Sequence, residues 1–233
     1  MQLAEETAGE AARLDHPVTH CIALIWSLAV FSWAEEIDKA EQALNIFSTC
    51  AEINAMGPYI AAANGFRGEL AIQRGRAGDA LGALQESLSR LRAIRYELLT
   101  IPFSIALSRG LMRAHRLPEA RELIDRTIAR CNATEERLML AEALRIKAQI
   151  ARANGEDPGV TETLLSDAIT LGRAQGAYAW QLRAAVDLAE LLIDLARRDE
   201  AAARLADVRP RFAETDTSHD VRRADNLLAR LAS

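Results

Sequence analysis

Aromatic residues are scarce, only 5% of the 233 positions, although half of the chain is hydrophobic. A sandwich or barrel of this size would fill its core with rings and β-branched side chains. An apolar fraction rich in Ala and Leu suits close helix packing instead, so the composition points to an all-α protein. Positive charge is also in short supply, with a formal net charge of -5. That counts against this chain gripping a nucleic-acid backbone, a task done mainly by Lys and Arg neutralising phosphates. The three cysteines, Cys21, Cys50 and Cys131, are odd in number and form no CxxC pair. This pattern indicates neither a disulfide framework nor a zinc site and leaves reduced thiols packed as small hydrophobes. One run, Cys21 to Trp33, is nearly all apolar but falls short of the roughly 18 residues of a membrane span. The opening Met-Gln-Leu-Ala-Glu-Glu lacks the basic flank and apolar stretch of a secretion signal, so a cytoplasmic protein is expected. No GxxxxGK[ST] loop occurs, which argues against nucleotide hydrolysis by these residues.

What the chain does have is a repeat. Small or apolar residues recur at Ala40, Ala80, Ala120, Val160 and Ala201, spaced 40, 40, 40 and 41 residues apart. Twelve residues before each stands a second landmark, Gly68, Ser108, Ala148 and Ala189, with Leu28 as the larger exception. Four residues after each comes a large aliphatic: Leu44, Leu84, Ile124, Leu164 and Leu205. The physical reading is a helical hairpin. A small residue on helix A lets helix B approach, a small residue on B completes the contact, and the aliphatic one turn later fills the core. The pattern predicts about twelve helices: one near 2 to 14, then hairpins near 17–55, 58–96, 99–131, 135–174 and 177–212, and a capping helix near 219–231. Asn154-Gly155-Glu156-Asp157-Pro158 is the clearest stop-and-start signal, with a left-handed cap closing one helix and Pro158 opening the next. Asp38 is expected to cap its helix, and Asn132-Ala133-Thr134, a glycosylation-like sequon, to lie in a loop. Asp220, Arg222, Arg223, Asp225 and Arg230 of the last helix are expected to face water.

The twelve-residue offset resembles the tetratricopeptide repeat (TPR), whose unit is about 34 residues. A period near 40 with the same landmarks resembles the repeats C-terminal to the ATPase core of bacterial regulators of the STAND class. The likeness sharpens over residues 135 to 231, with Glu135-Glu136-Arg137, Glu142 to Lys147 and Arg173 to Ala185, and departs from that family at Phe212 to Thr217. The resemblance implies a right-handed α-α superhelix of about five TPR-like hairpins forming one domain over residues 1–233. It further implies a non-catalytic interaction or sensing domain of a bacterial transcriptional regulator, acting on winged-helix and ATPase modules outside these residues. Partners would be a protein or peptide, or a small-molecule inducer, with no cofactor and no direct contact to nucleic acid or membrane. The alternative is a freestanding TPR-like adaptor.

Catalytic signatures are thin. His16 and His20 are four apart, but no HExxH glutamate accompanies them and Pro17 starts a helix between them. His219-Asp220 is a single dipeptide, with Asp220 suited to a helix start, and Glu35-Glu36 and Glu135-Glu136 read as acids at helix starts, where the macrodipole favours them. In TPR-like stacks the inner wall comes from helix A, one, four and five residues after its small landmark and three before it. Those offsets select Glu69, Ile72 and Gln73; Arg109, Met112 and Arg113; Arg145, Gln149 and Arg152; and Glu190 and Asp194. Arg109, Arg113, Arg145 and Arg152 would make the middle of the wall basic and able to hold carboxylates or a phosphate, with Glu190 and Asp194 offsetting part of it. The plainer alternative is that these arginines pair with neighbouring acids such as Glu142 on a solvated face. Trp26, Trp33 and Trp180 lie in apolar helical patterns and are expected in the core. Leu3, Ala8, Ala11, Ala12 and Leu14 on the first helix need cover, which predicts a homodimer through the N-terminal repeat.

Overall fold

The computed structural model describes residues 2–232, and these form twelve α-helices, one 3₁₀ turn at Arg209–Arg211 and, among the described residues, no strand. A first helix, α1 (Gln2–Ala12), precedes the pairs α2 (Pro17–Trp33) and α3 (Ile37–Ile53), and α4 (Gly57–Gln73) and α5 (Ala77–Ala93). Then come α6 (Thr100–Arg113), α7 (Leu117–Thr134), α8 (Leu140–Ala153), α9 (Pro158–Ala174), α10 (Tyr178–Asp194), α11 (Arg198–Val208) and α12 (His219–Ala232). None is long and apolar enough to cross a membrane.

The helices end on a beat that the small-residue landmarks do not reveal. Left-handed backbone occurs at Asp15, Glu35, Ala55, Gly75, Arg95, His115, Glu135, Gly155, Gly176 and Ala196, every twentieth residue with one step of twenty-one. Each follows a helix, and the amide one residue later commonly reaches back five positions, as Glu36 to the Phe31 carbonyl (2.9 Å), Arg76 to Ala71 (2.8 Å) and Arg197 to Leu192 (2.8 Å). This closure satisfies carbonyls that the helix leaves open. Only three of the ten are glycine. The others accept a backbone cost of about 1 kcal/mol each, offset by the packing of the next helix. Asp15 stands forty residues before Ala55, so α1 sits in the frame as a B helix.

The single step of twenty-one locates one extra residue. The turn between α8 and α9 spans 154–157, four residues, where the turns after α2, α4, α6 and α10 span three. Gly155 supplies the left-handed residue at φ +69°, Asp157 accepts from the Gly159 amide at 2.7 Å, and Pro158 opens α9, as the sequence signal indicates. The insertion shifts α9 by one residue. Thr161 and Leu165 are buried there, while Val160 is 40% exposed, which corrects the expected landmarks Val160 and Leu164. Ala40, Ala80, Ala120 and Ala201 are buried as anticipated.

Other boundaries differ for local reasons. The helix expected from 135 begins at Leu140, because Glu135 is the left-handed cap of α7 at φ +57°. Neither Glu135 nor Glu35 therefore starts a helix. α7 runs on to Thr134, so the sequon lies in its last turn. Asp38 sits in the first turn of α3 and pairs with Arg74 at 2.9 Å, while Glu36 holds the N-cap position without a side-chain bond. His16 caps α2, its Nδ1 accepting from the Thr19 amide at 3.2 Å.

By compactness the chain divides between Ala114 and His115. In the N-terminal unit the landmark argument can be read atom by atom. A Cβ placed on Gly68 would stand 2.8 Å from Cγ of Leu84 and 3.1 Å from the carbonyl oxygen of Ala80, the three predicted landmarks of one hairpin. Its neighbour Gly65 admits the Phe103 ring, which a Cβ there would overlap. Phe66 lies edge-on to Phe103 of α6 at 5.1 Å and to Phe47 of α3 at 6.4 Å, so rings join α4 to both helices. Trp33 is half-buried, but Trp26 is 43% exposed, contrary to the core place expected for it.

The C-terminal unit packs Ala148, Leu165, Ala168, Ala189, Ala201 and Leu205 into one core, closed by Val221, Ala224 and Leu227 of α12. Trp180 is buried there, and the Arg183 guanidinium lies 5.0 Å from its ring. α12 keeps Arg222, Asp225 and Arg230 exposed, as expected of a water-facing cap, but not Asp220 and Arg223. Asp220 and Arg223 turn toward α10, and Asp225 pairs with Arg209 at 2.5 Å.

Candidate functional site

In the N-terminal unit the predicted wall positions are tied into backbone and hydroxyl bonds. Glu69 is buried on α4 and accepts from the Ser32 hydroxyl of α2 at 2.8 Å. Gln73, one turn on, donates to the Ser32 hydroxyl at 2.8 Å and its carbonyl at 3.2 Å. Ile72 is buried and packs where Gly110 of α6 leaves room for it. Arg113 donates to the Ile72 carbonyl, placing a cation at the end of α4 where the helix dipole is negative. Arg109 and Met112 are half-buried on α6.

The C-terminal unit carries the stronger chemistry. Arg145 of α8 is only 6% exposed, and its Nε and Nη2 donate to the two oxygens of Glu142 at 2.8 and 2.7 Å. Its Nη1 donates to Oδ2 of Asp187 on α10 at 2.7 Å. Gln149 donates to the same Asp187 oxygen at 2.7 Å. From α12, Arg223 reaches Glu190 at 2.8 Å and the other Asp187 oxygen at 3.4 Å. Arg183 donates to Asp220 at 2.7 Å, and Arg152 pairs with Asp194 at the exposed end of the row. The ladder thus crosses three helices, buried from Arg183–Asp220 through Arg145–Asp187 and open at the Arg152–Asp194 end.

Burial is the largest influence on the Arg145 guanidinium and by itself would lower its pKa. The charges of Glu142 and Asp187 and their hydrogen bonds outweigh it and hold the pKa well above arginine's ordinary value. Arg223 behaves alike, burial pulling down while Glu190 and Asp187 raise it. These arginines are permanently charged, and each has carboxylates in reach. Arg145, Arg152, Arg183 and Arg223 face Glu142, Asp187, Glu190, Asp194 and Asp220, four cations against five anions.

Of the expected wall residues, the structure brings together Arg145, Gln149, Arg152, Glu190 and Asp194 in this unit, and Glu69, Gln73, Ile72 and Arg113 in the other. The Arg145–Glu142 pairing is the one the plainer alternative named, but it is buried rather than solvated. Asp187, which organises the ladder, escapes the sequence reading because it stands two residues before Ala189, one step from the offset that selects the wall. Arg183, Asp220 and Arg223 escape with it. The signal available is a run of oppositely charged residues at matching frame positions on α8, α10 and α12.

Cys21 and Cys131 are buried and Cys50 is half-buried, all three as free thiols. Burial, with the neighbouring Cys50 thiol, pushes Cys21 up to about 12. Such a thiol is a packing group and a poor nucleophile.

No family model and no curated protein matches the sequence. Solved structures do. The chain aligns over 96% of its length, at TM-score 0.61 and 12% identity, with a Signal Transduction ATPase with Numerous Domains (STAND) from Pyrococcus horikoshii that has a tetratricopeptide repeat sensor. It spans 35% of that protein's length. It also aligns with nearly identical TPR-like repeats assigned to a kinesin light chain of Podosopora anserina, at 17% identity and TM-score 0.54, covering 88% of this chain and 100% of that one. A variant of the same repeats gives TM-score 0.55 at 17% identity over 84% and 95%. The fold is therefore an all-helical, TPR-like repeat.

Proposed function

We propose that this chain is a non-catalytic, cytoplasmic interaction and sensing domain of a bacterial transcriptional regulator, controlling DNA-binding and ATPase modules that lie outside these residues. The observation that carries the reading is the charge ladder on α8, α10 and α12. Its buried middle fixes three helices in register, while Arg152, Asp194, Glu190 and Arg223 at its edges are open enough to exchange partners. A protein or peptide bearing its own acids and bases, or a charged small inducer, can replace those edge pairs without breaking the Arg145–Asp187 centre. Arg109, Met112, Arg113, Glu69 and Gln73 form the corresponding wall of the N-terminal unit. Binding would regulate the modules only by favouring one of two arrangements of the repeats. The fold shared with the TPR-sensor STAND protein supports this reading, and the net charge of -5 supports leaving nucleic acid to other modules. The near-complete coverage of the kinesin light chain repeats supports the second reading, a freestanding adaptor.

An antibody against this chain, used on extracts of the cells that make it, separates the two. A band several times larger than 25.5 kDa is expected for the regulator; a band at 25.5 kDa would leave the adaptor. In the full-length regulator, Arg152→Glu with Asp194→Arg preserves the exposed pair but reverses its polarity. A partner reading this wall is expected to lose about tenfold or more in affinity, and unchanged binding would remove the wall from the account.

A further inference from the structure

Within the N-terminal unit, α1, α2 and α3 surround a cavity of about 330 Å³. Its floor is apolar, with Leu24 and Phe31 of α2 and Ala43 of α3 all buried beneath it. Ala8, Gly9 and Ala12 of α1 form one wall. A Cβ added to Gly9 would meet no atom within 4 Å, so space opens at the helix backbone itself. Charged groups keep to the edge, where Lys39 of α3 pairs with Glu5 of α1 at 2.8 Å, and the half-buried His20 of α2 also lines the space.

The next repeat shows what closes the corresponding groove. Forty residues on in the frame, Ser27 becomes Arg67. The Arg67 guanidinium donates to Asn64 at 2.7 Å and to the Ser48 hydroxyl, and it pairs with Glu52 at 3.7 Å. The filler is thus a side chain of the groove's own A helix, reaching from α4 to α3. In the first repeat this arginine and all three of its partners are exchanged together: Ser27 stands for Arg67, Leu24 for Asn64, Ala8 for Ser48 and Ala12 for Glu52. Ser27, too short to cross, donates to the Ala4 carbonyl at 2.8 Å. Loss of the arginine alone would leave a polar cleft suited to water. Loss of its partners as well makes the cleft apolar and suits it to a hydrocarbon body.

We propose that this cavity is a binding site for a small organic acid with an apolar body. The body lies on Leu24 and Phe31, and the carboxylate replaces Glu5 on Lys39. The volume is in the range of small-molecule sites, and an apolar lining with a few polar groups at its edge is their usual make-up. Charge selects an acid, because Lys39 and His20 put two basic groups on the lining against the single carboxylate of Glu5. Glu5 and Lys39 are both well exposed, so their pair is worth little. Glu5 can therefore pass into water at small cost while Lys39 keeps an ion pair with the ligand. No residue of the charge ladder lines the cavity, and failure of this site would leave the proposed function standing.

Isothermal titration calorimetry of the whole chain with octanoate tests this, with octylammonium as a like body of opposite charge. Saturable octanoate binding with a dissociation constant of about 0.1–1 mM is expected for so small a ligand. Octylammonium should bind about tenfold more weakly or worse. Gly9→Leu puts a side chain into the cavity from an exposed helical position. It should weaken octanoate about tenfold or more, with helicity by circular dichroism kept or raised because leucine is the better helix former. Lys39→Gln should bring the two probes within about threefold of each other, since the group that tells them apart is gone. Absence of octanoate binding up to about 10 mM would overturn the proposal. So would octanoate binding indifferent to Gly9→Leu, which would place it elsewhere, or octylammonium binding as tightly as octanoate.

Discussion

Two residues before the small landmark, the N-terminal unit places Phe66 and the C-terminal unit places Asp187. One position earlier, Gly65 of α4 admits the Phe103 ring, whereas Arg145 of α8 reaches across to Asp187 at 2.7 Å. The same helical frame is therefore joined by rings in one unit and by buried charge in the other. A ring seam gains from area and shape and is indifferent to partners. A charge seam contributes little net stability once desolvation is counted, but losing one member is costly, and an open end leaves charges exposed to solvent. The difference bears on the proposed function: exposed paired charges, Arg152 with Asp194 and Arg223 with Glu190, edge the C-terminal seam, whereas the N-terminal seam offers rings.

The largest expected effects break each seam at its centre. Phe66→Ala should cost about 3–5 kcal/mol in urea unfolding through the cavity it leaves. Arg145→Ala should cost about as much for the opposite reason, stranding Glu142 and Asp187 as buried, uncompensated charges. If Arg145→Ala cost less than about 1 kcal/mol, the charge seam would be no more than a surface pairing.

A smaller effect sharpens the contrast within the hairpins. Ala148 and Ala189 carry a methyl group where the N-terminal unit has Gly68. Gly68→Ala should destabilise by about 1–3 kcal/mol, because the Ala80 backbone, 3.1 Å from the new Cβ, cannot give way as a side chain can.

Smaller again is the exchange of the turn residues that end the A helices, Gly75 at φ +79° and Ala196 at φ +61°. Ala196→Gly should stabilise by up to about 1 kcal/mol and Gly75→Ala should destabilise by a similar amount, both read from thermal unfolding. The thiols give the smallest signal. With Cys21 pushed up to about 12, its thiolate fraction at pH 8 is roughly 10⁻⁴, so native alkylation followed by mass spectrometry should label Cys50 well before Cys21.

Much of the frame was legible in the sequence. The hairpin landmarks work because a missing Cβ or a lone methyl at Gly68, Ala80 or Ala189 is a steric requirement, and steric requirements leave a period. The left-handed residues every twenty positions were hidden because most are Glu, Arg, Ala, Asp or His, held there by packing and not by their own preference. The displaced Thr161 and Leu165 show how one added loop residue moves a whole helix register while the overall period survives. Trp26 was misplaced because an apolar pattern marks a face as buried without saying whether a neighbour is there to bury it. The ladder was half legible: fixed offsets found Arg145, Gln149 and Arg152, but Asp187 and Arg223 depend on which way neighbouring helices turn, and that is settled by packing.

The most direct test of the two-seam account is a double-mutant cycle on Arg145→Met and Asp187→Leu, read by urea unfolding of the whole chain. A coupling energy of about 1–3 kcal/mol is predicted, with the double variant closer to the parent than the single variants would sum to. Additivity within about 0.5 kcal/mol would contradict the account, since it would mean that the two helices are held together without the charges between them.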